Sequence, residues 1–291
     1  MRASSERPEG ARFCLRRRQV APQPRPPAPW PAVWASTPSD MSLLSSTASL
    51  AFDAVLALIY PQPCVICGAS VESRYDGVAC SRCWDEAPIS RGDETLCWKC
   101  GALSLAQVKS DKRQTVRCGR CETHDFTAAR ACGHYYGALR AAVLELKRRP
   151  HVARRLAGLI YQTQQREPLV AADLIVPVPL HSARERERGF NQALVLAGAL
   201  QRLSHLPLAE HVLVRQIQTT MHRAGMDSRA RHQSVANAFT VRQRAVITGK
   251  RVLLVDDVLT SGATASACSA KLKEAGAAQV FVLTIARAAS T

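Results

Sequence analysis

The stretch Arg251–Thr264 reads RVLLVDDVLTSGAT, and it decides the fold of this chain. Four aliphatic residues lead into two adjacent carboxylates, Asp256 and Asp257, and helical spacing begins after the small residues of Ser261–Ala265. A continuous apolar run that ends in a turn is typical of a buried parallel strand, which here carries the acidic pair to its carboxyl end. This order of residues indicates an α/β fold.

The turn after this strand contains the groups that bind a phosphate. Gly262 lets backbone N–H groups converge on an anion, and Thr260, Ser261 and Thr264 supply hydroxyls. The following helix adds the positive end of its dipole. The acidic pair would repel a phosphate, so it suits sugar hydroxyls or a bound Mg²⁺ beside the phosphate. Together these residues predict a clamp for ribose 5-phosphate.

Two other phosphate motifs are excluded for this stretch. Gly249 and Lys250 are followed by Arg251 rather than a hydroxyl residue, and no glycine lies five residues before Gly249, so a Walker A loop is absent. The G-x-G-x-x-G pattern of a dinucleotide-binding turn is absent after the strand. The remaining alternative is a strand end and a helix cap without a ligand, which would explain an isolated acidic pair but not the whole pattern.

The same residues resemble the signature with which type I phosphoribosyltransferases bind 5-phosphoribosyl 1-pyrophosphate (PRPP). In that family the acidic pair holds the 2′ and 3′ hydroxyls of the ribose, and the loop surrounds the 5′-phosphate. The resemblance implies that Asp256 and Asp257 hold the ribose. It also implies that the 5′-phosphate is held by Thr260, Ser261, Gly262, Ala263 and Thr264.

Eight of the eleven cysteines form four C-x-x-C pairs, with gaps of 12, 13 and 17 residues between successive pairs. Two such pairs complete a tetrahedral thiolate site for a structural Zn²⁺. We assign one zinc to the first two pairs and another to the last two, while interleaved pairing stays open. The two sets are Cys64, Cys67, Cys80 and Cys83, and Cys97, Cys100, Cys118 and Cys121. Metal-binding cysteines indicate a reducing compartment, so we expect a cytoplasmic protein.

Downstream of the cysteine pairs, short apolar runs alternate with segments of helical spacing. The predicted strands are Ala131–Tyr136, Asp173–Val178, Val212–Val214, Val252–Val255 and Val280–Ile285. The predicted helices are Leu139–Lys147, Val152–Gln165, Asn191–Leu203 and Ala263–Ala275. Alternating strands and helices predict a parallel sheet that is covered on both faces and binds ligands at the carboxyl ends of its strands. With the resemblance, the expected fold class is α/β, a parallel sheet of the type I phosphoribosyltransferase kind preceded by a small zinc-ribbon domain.

A second motif, VPVPLHSARERERGFNQA, spans Val176–Ala193 and follows another apolar strand. We expect its arginines in a basic loop before a helix, where Arg184 and Arg188 bind pyrophosphate with forked donors and the helix dipole behind them. The alternative is a solvated charged loop in which Glu185 and Glu187 pair with the arginines. Beside the PRPP-like motif, pyrophosphate binding is the better interpretation.

The order of these motifs is similar to that of the ComF family, bacterial phosphoribosyltransferase-like proteins linked to natural competence. The resemblance covers about residues 55–288 and rests on the cysteine pairs, LKRRP at 146–150, RGFNQ at 188–192 and DDVLTSGAT at 256–264. It implies that PRPP is bound by Arg184, Arg188, Gly189, Asn191 and Gln192.

Two further positions match the family's motifs. Lys147 corresponds to a recurrent lysine, and Arg231 fits an R-x-x-N motif that contributes to PRPP binding. Ser234 stands where asparagine is usual in that motif. We therefore expect the segment over the site to differ from the family pattern.

The chain divides by composition into four segments. Residues 1–40 hold eight of the sixteen prolines and seven arginines against three acids, which predicts a disordered extension; the alternative is that translation starts at Met41. Residues 41–60 predict one amphipathic helix. We expect a double zinc ribbon at 61–128 and a phosphoribosyltransferase-like domain at 129–291. No run of about 18 apolar residues occurs, so no transmembrane helix is expected.

Two functions fit these motifs and the net charge of +16. In the first, the protein is a phosphoribosyltransferase that uses Mg²⁺ and PRPP and acts on an unidentified acceptor. Catalysis would then depend on positioning and electrostatics through Asp256, Asp257, Arg184, Arg188 and Lys147. In the second, the clamp is non-catalytic, and the ribbons and the basic surface bind single-stranded DNA or a DNA-uptake protein. The sequence has no run of Phe or Tyr that would form a base-stacking platform, which gives the second function less support.

Overall fold

The computed structural model describes residues 62–73, 75–104, 108–216 and 238–288, all of which belong to one unit, Thr47–Thr291. The disordered extension expected at 1–40, the amphipathic helix expected at 41–60 and Arg231 lie outside the described residues.

The strands in the described residues form two sheets. They are β1 (Ala128–His134), β2 (Leu174–Pro177), β3 (Leu213–Arg215), β4 (Phe239–Val241), β5 (Arg251–Leu259) and β6 (Gln279–Arg287). The larger sheet is wholly parallel with the order β1-β6-β5-β2, and β3 and β4 form a small antiparallel pair. The predicted parallel α/β sheet is thereby confirmed.

Helices cover this sheet and connect its strands. They are α1 (Ser81–Asp85), α2 (Gly137–Leu146), α3 (Arg154–Gln164), α4 (Ser182–Arg188), α5 (Gln192–Ser204), α6 (Arg244–Ile247) and α7 (Ala263–Glu274). Short 3₁₀ helices lie at Ser110–Thr115, Gly119–Cys121 and Leu169–Ala171. Within the described ranges no helix is long and apolar enough to cross a membrane, since the longest, α5, has 13 residues and a span needs about 20.

Strand β5 is buried on both of its faces, because side chains along a strand alternate between the two covered faces of the sheet. Leu253 and Val255 belong to the core on the side of α2 and α3. Val252 and Leu254 belong to the core on the side of α7. The acidic pair that follows in the same strand is therefore divided between the two faces.

The predicted strands and helices occur with shifted ends, and three segments differ. Strand β5 continues through Asp256 to Leu259 rather than ending at Val255, because its backbone stays paired with β6. The arginines expected in a basic loop lie instead on helix α4, which the side chain of His181 caps and whose Arg and Glu residues favour a helix. Strand β4, which the sequence pattern does not indicate, forms because it pairs with β3.

The cysteine-rich segment covers the outer edge of β1. The N–H of Ala129 donates to the carbonyl of Lys99 (2.7 Å), and the carbonyl of Cys132 accepts the N–H of Ser90 (2.7 Å). These bonds satisfy backbone groups that an uncovered edge strand would leave open. The cysteine-rich segment is therefore attached directly to the sheet.

Candidate functional site

The eight paired cysteines lie in two clusters of four, taken in order along the chain. In each cluster all sulfur atoms lie within 4.8 Å of one another; the clusters are Cys64, Cys67, Cys80 and Cys83, and Cys97, Cys100, Cys118 and Cys121. Four thiolates at about 2.3 Å from one Zn²⁺ would be about 3.8 Å apart. The sulfurs of Cys67 and Cys80 are 3.6 Å apart and those of Cys100 and Cys118 are 3.4 Å apart, which fits zinc. The consecutive pairing is confirmed, and the interleaved pairing is excluded.

A glycine closes the turn in the first and the third C-x-x-C pair. Gly68 and Gly101 have φ angles of +76° and +69°, a region that glycine adopts without strain. Each donates its N–H to the carbonyl of the first cysteine of its pair, Cys64 (2.9 Å) or Cys97 (2.8 Å). A Cβ at position 101 would also lie 2.6 Å from the carbonyl oxygen of Ala129 in β1. The second cluster, formed by the third and fourth pairs, is therefore packed tightly against the sheet.

Asp256 and Asp257 are adjacent in sequence but occupy opposite faces of the sheet. Each carboxylate accepts the next backbone N–H, Asp256 from Asp257 (2.8 Å) and Asp257 from Val258 (2.8 Å). Asp257 is 7% exposed, whereas Asp256 is half-buried. The two acids therefore meet different neighbours on the two faces of the sheet.

Lys147 forms an ion pair with Asp257 on the side of α2. The lysine Nζ lies 3.1 Å from Oδ2 of the aspartate, and the lysine side chain is 35% exposed against 10% for the aspartate. Lys147 follows the last residue of α2, where the helix dipole favours a cation. The structure thus joins two predicted site residues and leaves about a third of the lysine side chain exposed.

Asp256 lies on the side of α7, among other titratable groups. Burial by the surrounding protein raises the pKa of Asp256 well above its ordinary range, the carboxylate of Asp257 raises it further, and Lys147 opposes both. Cys268 of α7 and Arg215 of β3 also interact with it electrostatically. A carboxyl in these surroundings is stabilised as the anion when a cation or a hydroxyl donor binds beside it.

The loop 260–264 joins the end of β5 to the start of α7. Gly262 is the N-cap residue of α7 and has a φ angle of +81°. Thr260 and Ser261 are exposed, and the hydroxyl oxygen of Ser261 accepts the N–H of Ala263 (3.4 Å). The first turn of α7 carries no acidic residue, so none of its own side chains competes with an anion for the helix N-terminus. The loop therefore leaves its hydroxyls and the helix N-terminus without a competing carboxylate from α7.

The predicted pyrophosphate-binding arginines share one face of helix α4. Arg184 and Arg188 are four residues apart, which places them one turn apart on the same side. Arg184 is exposed, and the half-buried Arg188 donates from its guanidinium to the side-chain oxygen of Gln192. Gly189 ends α4 in the left-handed conformation, with a φ angle of +84°. The RGFNQ motif therefore turns the chain from α4 into α5.

Asn191 holds this turn against the sheet. Its side-chain oxygen accepts the N–H of Ala193 (3.0 Å) at the start of α5, and its side-chain nitrogen donates to the carbonyl of Val178 (3.1 Å) just after β2. Asn191 is 8% exposed. Both the oxygen and the nitrogen of its amide are bonded to the protein backbone. Asn191 therefore positions α4 (the arginine helix), and a direct contact with PRPP stays a prediction.

Helix α4 and the loop 260–264 lie at the same edge of the sheet because β2 and β5 are neighbouring parallel strands. Pro177 and Val255 are paired in register, and the N–H of Val178 donates to the carbonyl of Val255 (2.9 Å). The chain leaves both strands at their carboxyl ends, which is where parallel sheets bind ligands.

Arg215 is a charged residue of this region that no sequence motif indicates. Its guanidinium lies 5.4 Å from the centre of the Phe239 ring, which belongs to the paired strand β4. Partial burial lowers the pKa of Arg215, the positive charge of Arg184 lowers it further, and Asp256 opposes this effect. Arg184 and Asp256 therefore lie within electrostatic reach of the same guanidinium.

His124 is a second residue that sequence reasoning misses. A Cβ at Gly262 would lie 2.8 Å from Cε1 of His124, so the imidazole packs directly against the loop glycine. A single histidine three residues after a C-x-x-C pair matches no motif, and only the folded arrangement brings it to the loop.

The cysteine-rich segment matches a known domain family, and a larger part of the chain is similar to known proteins. Residues 55–122 match the double zinc ribbon domain family. The chain is 30% identical over 180 residues to competence protein F of Haemophilus influenzae, which covers 59% of this chain and 78% of that protein. It is 30% identical over 240 residues to the DNA utilization protein YhgH of Salmonella typhimurium, which covers 79% of this chain and 99% of that protein.

Two solved structures are similar to part of the chain. One is the glutamine PRPP amidotransferase from B. subtilis, with 22% identity and a TM-score of 0.34 over 50% of this chain and 30% of that one. The other is a purine phosphoribosyltransferase from Pyrococcus horikoshii, with 18% identity and a TM-score of 0.30 over 46% of this chain and 72% of that one. This chain thus spans less than a third of the amidotransferase.

Proposed function

We propose that this chain, which belongs to the ComF family, binds PRPP at the site described above. Its membership of the family rests on its 30% sequence identity to competence protein F and to YhgH. The observation that carries the proposal is the end of β5, where an acidic pair precedes a glycine-containing loop and the N-terminus of α7. Such an arrangement suits a phosphorylated ribose because it offers acceptors for hydroxyls beside donors for a phosphate.

In this proposal, the loop 260–264 binds the 5′-phosphate. Backbone N–H groups, the hydroxyls of Thr260 and Ser261, and the dipole of α7 all favour an anion there. The half-buried Asp256 accepts hydrogen bonds from the ribose hydroxyls, which stabilise its charged form. Asp257 and Lys147 form the adjacent wall, and the partly exposed lysine side chain contacts the negatively charged side of the ligand.

The pyrophosphate of PRPP is bound by the basic residues at the same edge of the sheet. Arg184 and Arg188 present forked donors from one face of α4. Arg215 adds a positive charge near Arg184, and the two guanidinium groups repel each other electrostatically until an anion binds between them. This repulsion favours binding of a polyanion over the empty site.

We further propose that the protein transfers the phosphoribosyl group to an acceptor. The bond between C1 of the ribose and a pyrophosphate oxygen breaks, the electron pair leaves with the pyrophosphate, and the acceptor forms a new bond to C1. Arginine and lysine side chains stabilise the charge that develops on the leaving group. Mg²⁺ bound with the pyrophosphate would supply further positive charge, and the carboxylate oxygens of Asp256 suit it.

Calorimetric titration of PRPP, with and without Mg²⁺, tests the proposal. We expect zinc-replete protein to bind PRPP more tightly with Mg²⁺, and the Asp256→Asn/Asp257→Asn double variant to lose this binding. Release of pyrophosphate in the presence of candidate acceptors then tests transfer. Absence of binding to the folded wild-type protein would reject the proposal.

A role in DNA use is a second candidate, which the names of the relatives and one exposed aromatic residue favour. Tyr136 is 73% exposed and follows β1, so it lies at the carboxyl edge of the sheet. Arg140 is exposed one helical turn later in α2. An exposed aromatic ring beside a cation can stack on a base of single-stranded DNA and contact its backbone.

Fluorescence anisotropy with a labelled oligothymidylate tests this second function. We expect binding that weakens steeply with salt, is reduced by Tyr136→Ala and is kept by Tyr136→Phe. The Asp256→Asn/Asp257→Asn variant should still bind the oligonucleotide. Salt-independent binding would exclude contacts to the DNA backbone, and equal binding by the Ala and Phe variants would exclude the stacking role of Tyr136.

A further inference from the structure

The loop 260–264, which is the proposed phosphate loop, is in contact with the segment 122–126 that follows the second cysteine cluster. Gly262 has a positive φ angle of +81°, and the space that a Cβ would need there is occupied by the imidazole of His124, 2.8 Å away. The same imidazole packs against the Phe126 ring at a centroid distance of 4.9 Å. The position of the loop glycine is therefore limited by a residue outside the sheet.

The residue after His124 is bonded to the start of α7. The N–H of Asp125 donates to Oγ of Ser266 (3.0 Å), and the Ser266 hydroxyl donates to the carboxylate of Asp125 (2.9 Å). Ser266 is 5% exposed, and its own N–H donates to the carbonyl of Gly262 (2.8 Å). One short segment thus contacts the loop at Gly262 and holds the first residues of the helix behind it.

The same segment is connected to the second metal cluster. The N–H of His124 donates to the carbonyl of Cys121 (3.2 Å). At the start of the loop, Leu259 of β5 is paired in register with Arg287 of β6, whose guanidinium donates to the carbonyl of Cys100. Both ends of the loop are therefore linked to residues of the second cluster.

The first cluster contacts a different part of the sheet domain. Asp76, between its two cysteine pairs, forms an ion pair with Arg155 of α3 (2.8 Å), and the Arg155 guanidinium also lies 5.4 Å from the centre of the Trp84 ring. These contacts hold α3. This helix packs on the face of the sheet opposite to α7 and is distant in sequence from the phosphate loop. The two clusters thus support different elements.

We propose that His124 and Asp125 are positioning residues of the phosphate loop and that the second zinc cluster, but not the first, sets the affinity of the site for the phosphate group. With Zn²⁺ bound at Cys97, Cys100, Cys118 and Cys121, the segment 122–126 is held in place, and it keeps Gly262 and the N-terminus of α7 in the conformation that converges on a phosphate. This inference rests on the proposed function, because it assigns the loop to the 5′-phosphate.

Titration of ribose 5-phosphate and of pyrophosphate into the full chain tests the inference. Asp125→Ala and His124→Ala should weaken ribose 5-phosphate binding by roughly fivefold to tenfold, since each removes one set of contacts to the loop. Binding of pyrophosphate, which the arginine helix provides, should change by less than about twofold, and zinc content should stay at two per chain. Asp125→Asn keeps an acceptor for the Ser266 hydroxyl and should bind nearly as the wild type does. His211→Ala, at an exposed histidine, is the matched control for His124.

The outcomes separate this inference from the proposed function. If the wild-type protein binds no ribose 5-phosphate, both are rejected. If it does, and the His124→Ala and Asp125→Ala variants bind equally well, this inference alone is wrong. Equal weakening for both ligands, or loss of zinc, would show a general structural role and would also overturn it.

Cysteine variants test the difference between the clusters. Cys118→Ser removes a ligand of the second cluster, and Cys67→Ser removes a ligand of the first. We expect each to lose one zinc, and only Cys118→Ser to weaken ribose 5-phosphate binding strongly. Equal weakening in the two variants would contradict the selective role of the second cluster. If Cys118→Ser no longer unfolds cooperatively, its weaker binding reflects misfolding. The His124 and Asp125 variants then test whether the segment 122–126 positions the loop.

Discussion

The ammonium of Lys147 lies 3.1 Å from the carboxylate of Asp257, which joins the end of α2 to the carboxyl end of β5. The pair neutralises an acid that is 7% exposed and that would otherwise be costly to bury. Asp256, its neighbour in sequence, lies on the side of α7, where burial raises its pKa. The two acids of one motif therefore differ in their surroundings and in role.

The first prediction concerns this ion pair. Lys147→Met should lower the free energy of unfolding by about 1–3 kcal/mol, because Asp257 is left buried without its cation. Asp257→Asn in the same background should recover part of the loss. Urea denaturation at neutral pH measures both effects. Lys271→Met is the control, since its partner Glu274 is well exposed, and it should cost about 1 kcal/mol or less. Similar losses in the two lysine variants would contradict the importance of burial.

The second prediction concerns the face of α4. Arg184→Ala and Arg188→Ala should each weaken pyrophosphate binding by about tenfold to a hundredfold, because each removes charge-assisted hydrogen bonds. Arg186 lies between them in sequence but points away from their shared face. Arg186→Ala should therefore reduce affinity only slightly, through the lost net charge. Calorimetry at two salt concentrations measures the three variants. A uniform effect of all three would indicate a diffuse charge effect rather than a binding face.

The third prediction concerns the loop glycine. Gly262→Ala should lower the free energy of unfolding by roughly 1–3 kcal/mol, because its φ angle is +81° and its Cβ would meet His124. In a His124→Ala background the same substitution should cost less, since only the backbone strain is left. Thermal unfolding of the four proteins measures this coupling. Gly158→Ala, at a position of α3 where a Cβ meets nothing within 4 Å, should be neutral or stabilising. Additive effects at Gly262 and His124 would disprove their contact.

The fourth prediction concerns pH. The pKa of Asp256 is raised in the folded protein, so above the ordinary pKa of about 4 the unfolded chain releases this proton first. Folding stability therefore falls as the pH rises from the ordinary pKa to the raised one. Asp256→Asn should be more stable than the wild type at pH 8, with an advantage that shrinks toward acid pH, although it loses PRPP binding.

Asp173 provides the opposite case for the same measurement. The hydrogen bonds of Arg251 lower the pKa of Asp173 to about 2, so its contribution to stability is complete above pH 4 and is lost as the pH falls toward 2. Asp173→Asn should thus be less stable than the wild type throughout the neutral range. A stabilising Asp173→Asn or a destabilising Asp256→Asn at pH 8 would contradict the assigned directions.

Local patterns were sufficient to predict the elements that carry the site. The aliphatic run before Asp256 predicts β5 because a buried parallel strand requires continuous apolar side chains. The spacing of the cysteines predicts zinc binding because two thiolates on one tight turn share a metal, whereas the structure was needed to show which pairs form one cluster. The arginines of 184–188 were predicted as a loop, and this was wrong because the pattern of alternating charges does not reveal the cap that His181 supplies to α4.

The sequence by itself determined the parallel sheet, the four C-x-x-C pairs and the glycine-containing loop after β5, because each depends on residues that are close together in the chain. Only the tertiary structure decided that consecutive cysteine pairs form one cluster, that Asp256 and Asp257 serve opposite faces, that Lys147 neutralises the second of them, and that Arg215 and His124 join the site. These relationships depend on strand order and packing, which bring residues far apart in the chain to one edge of the sheet. A contact between His124 and Gly262 is set by the whole fold, and no local pattern contains it.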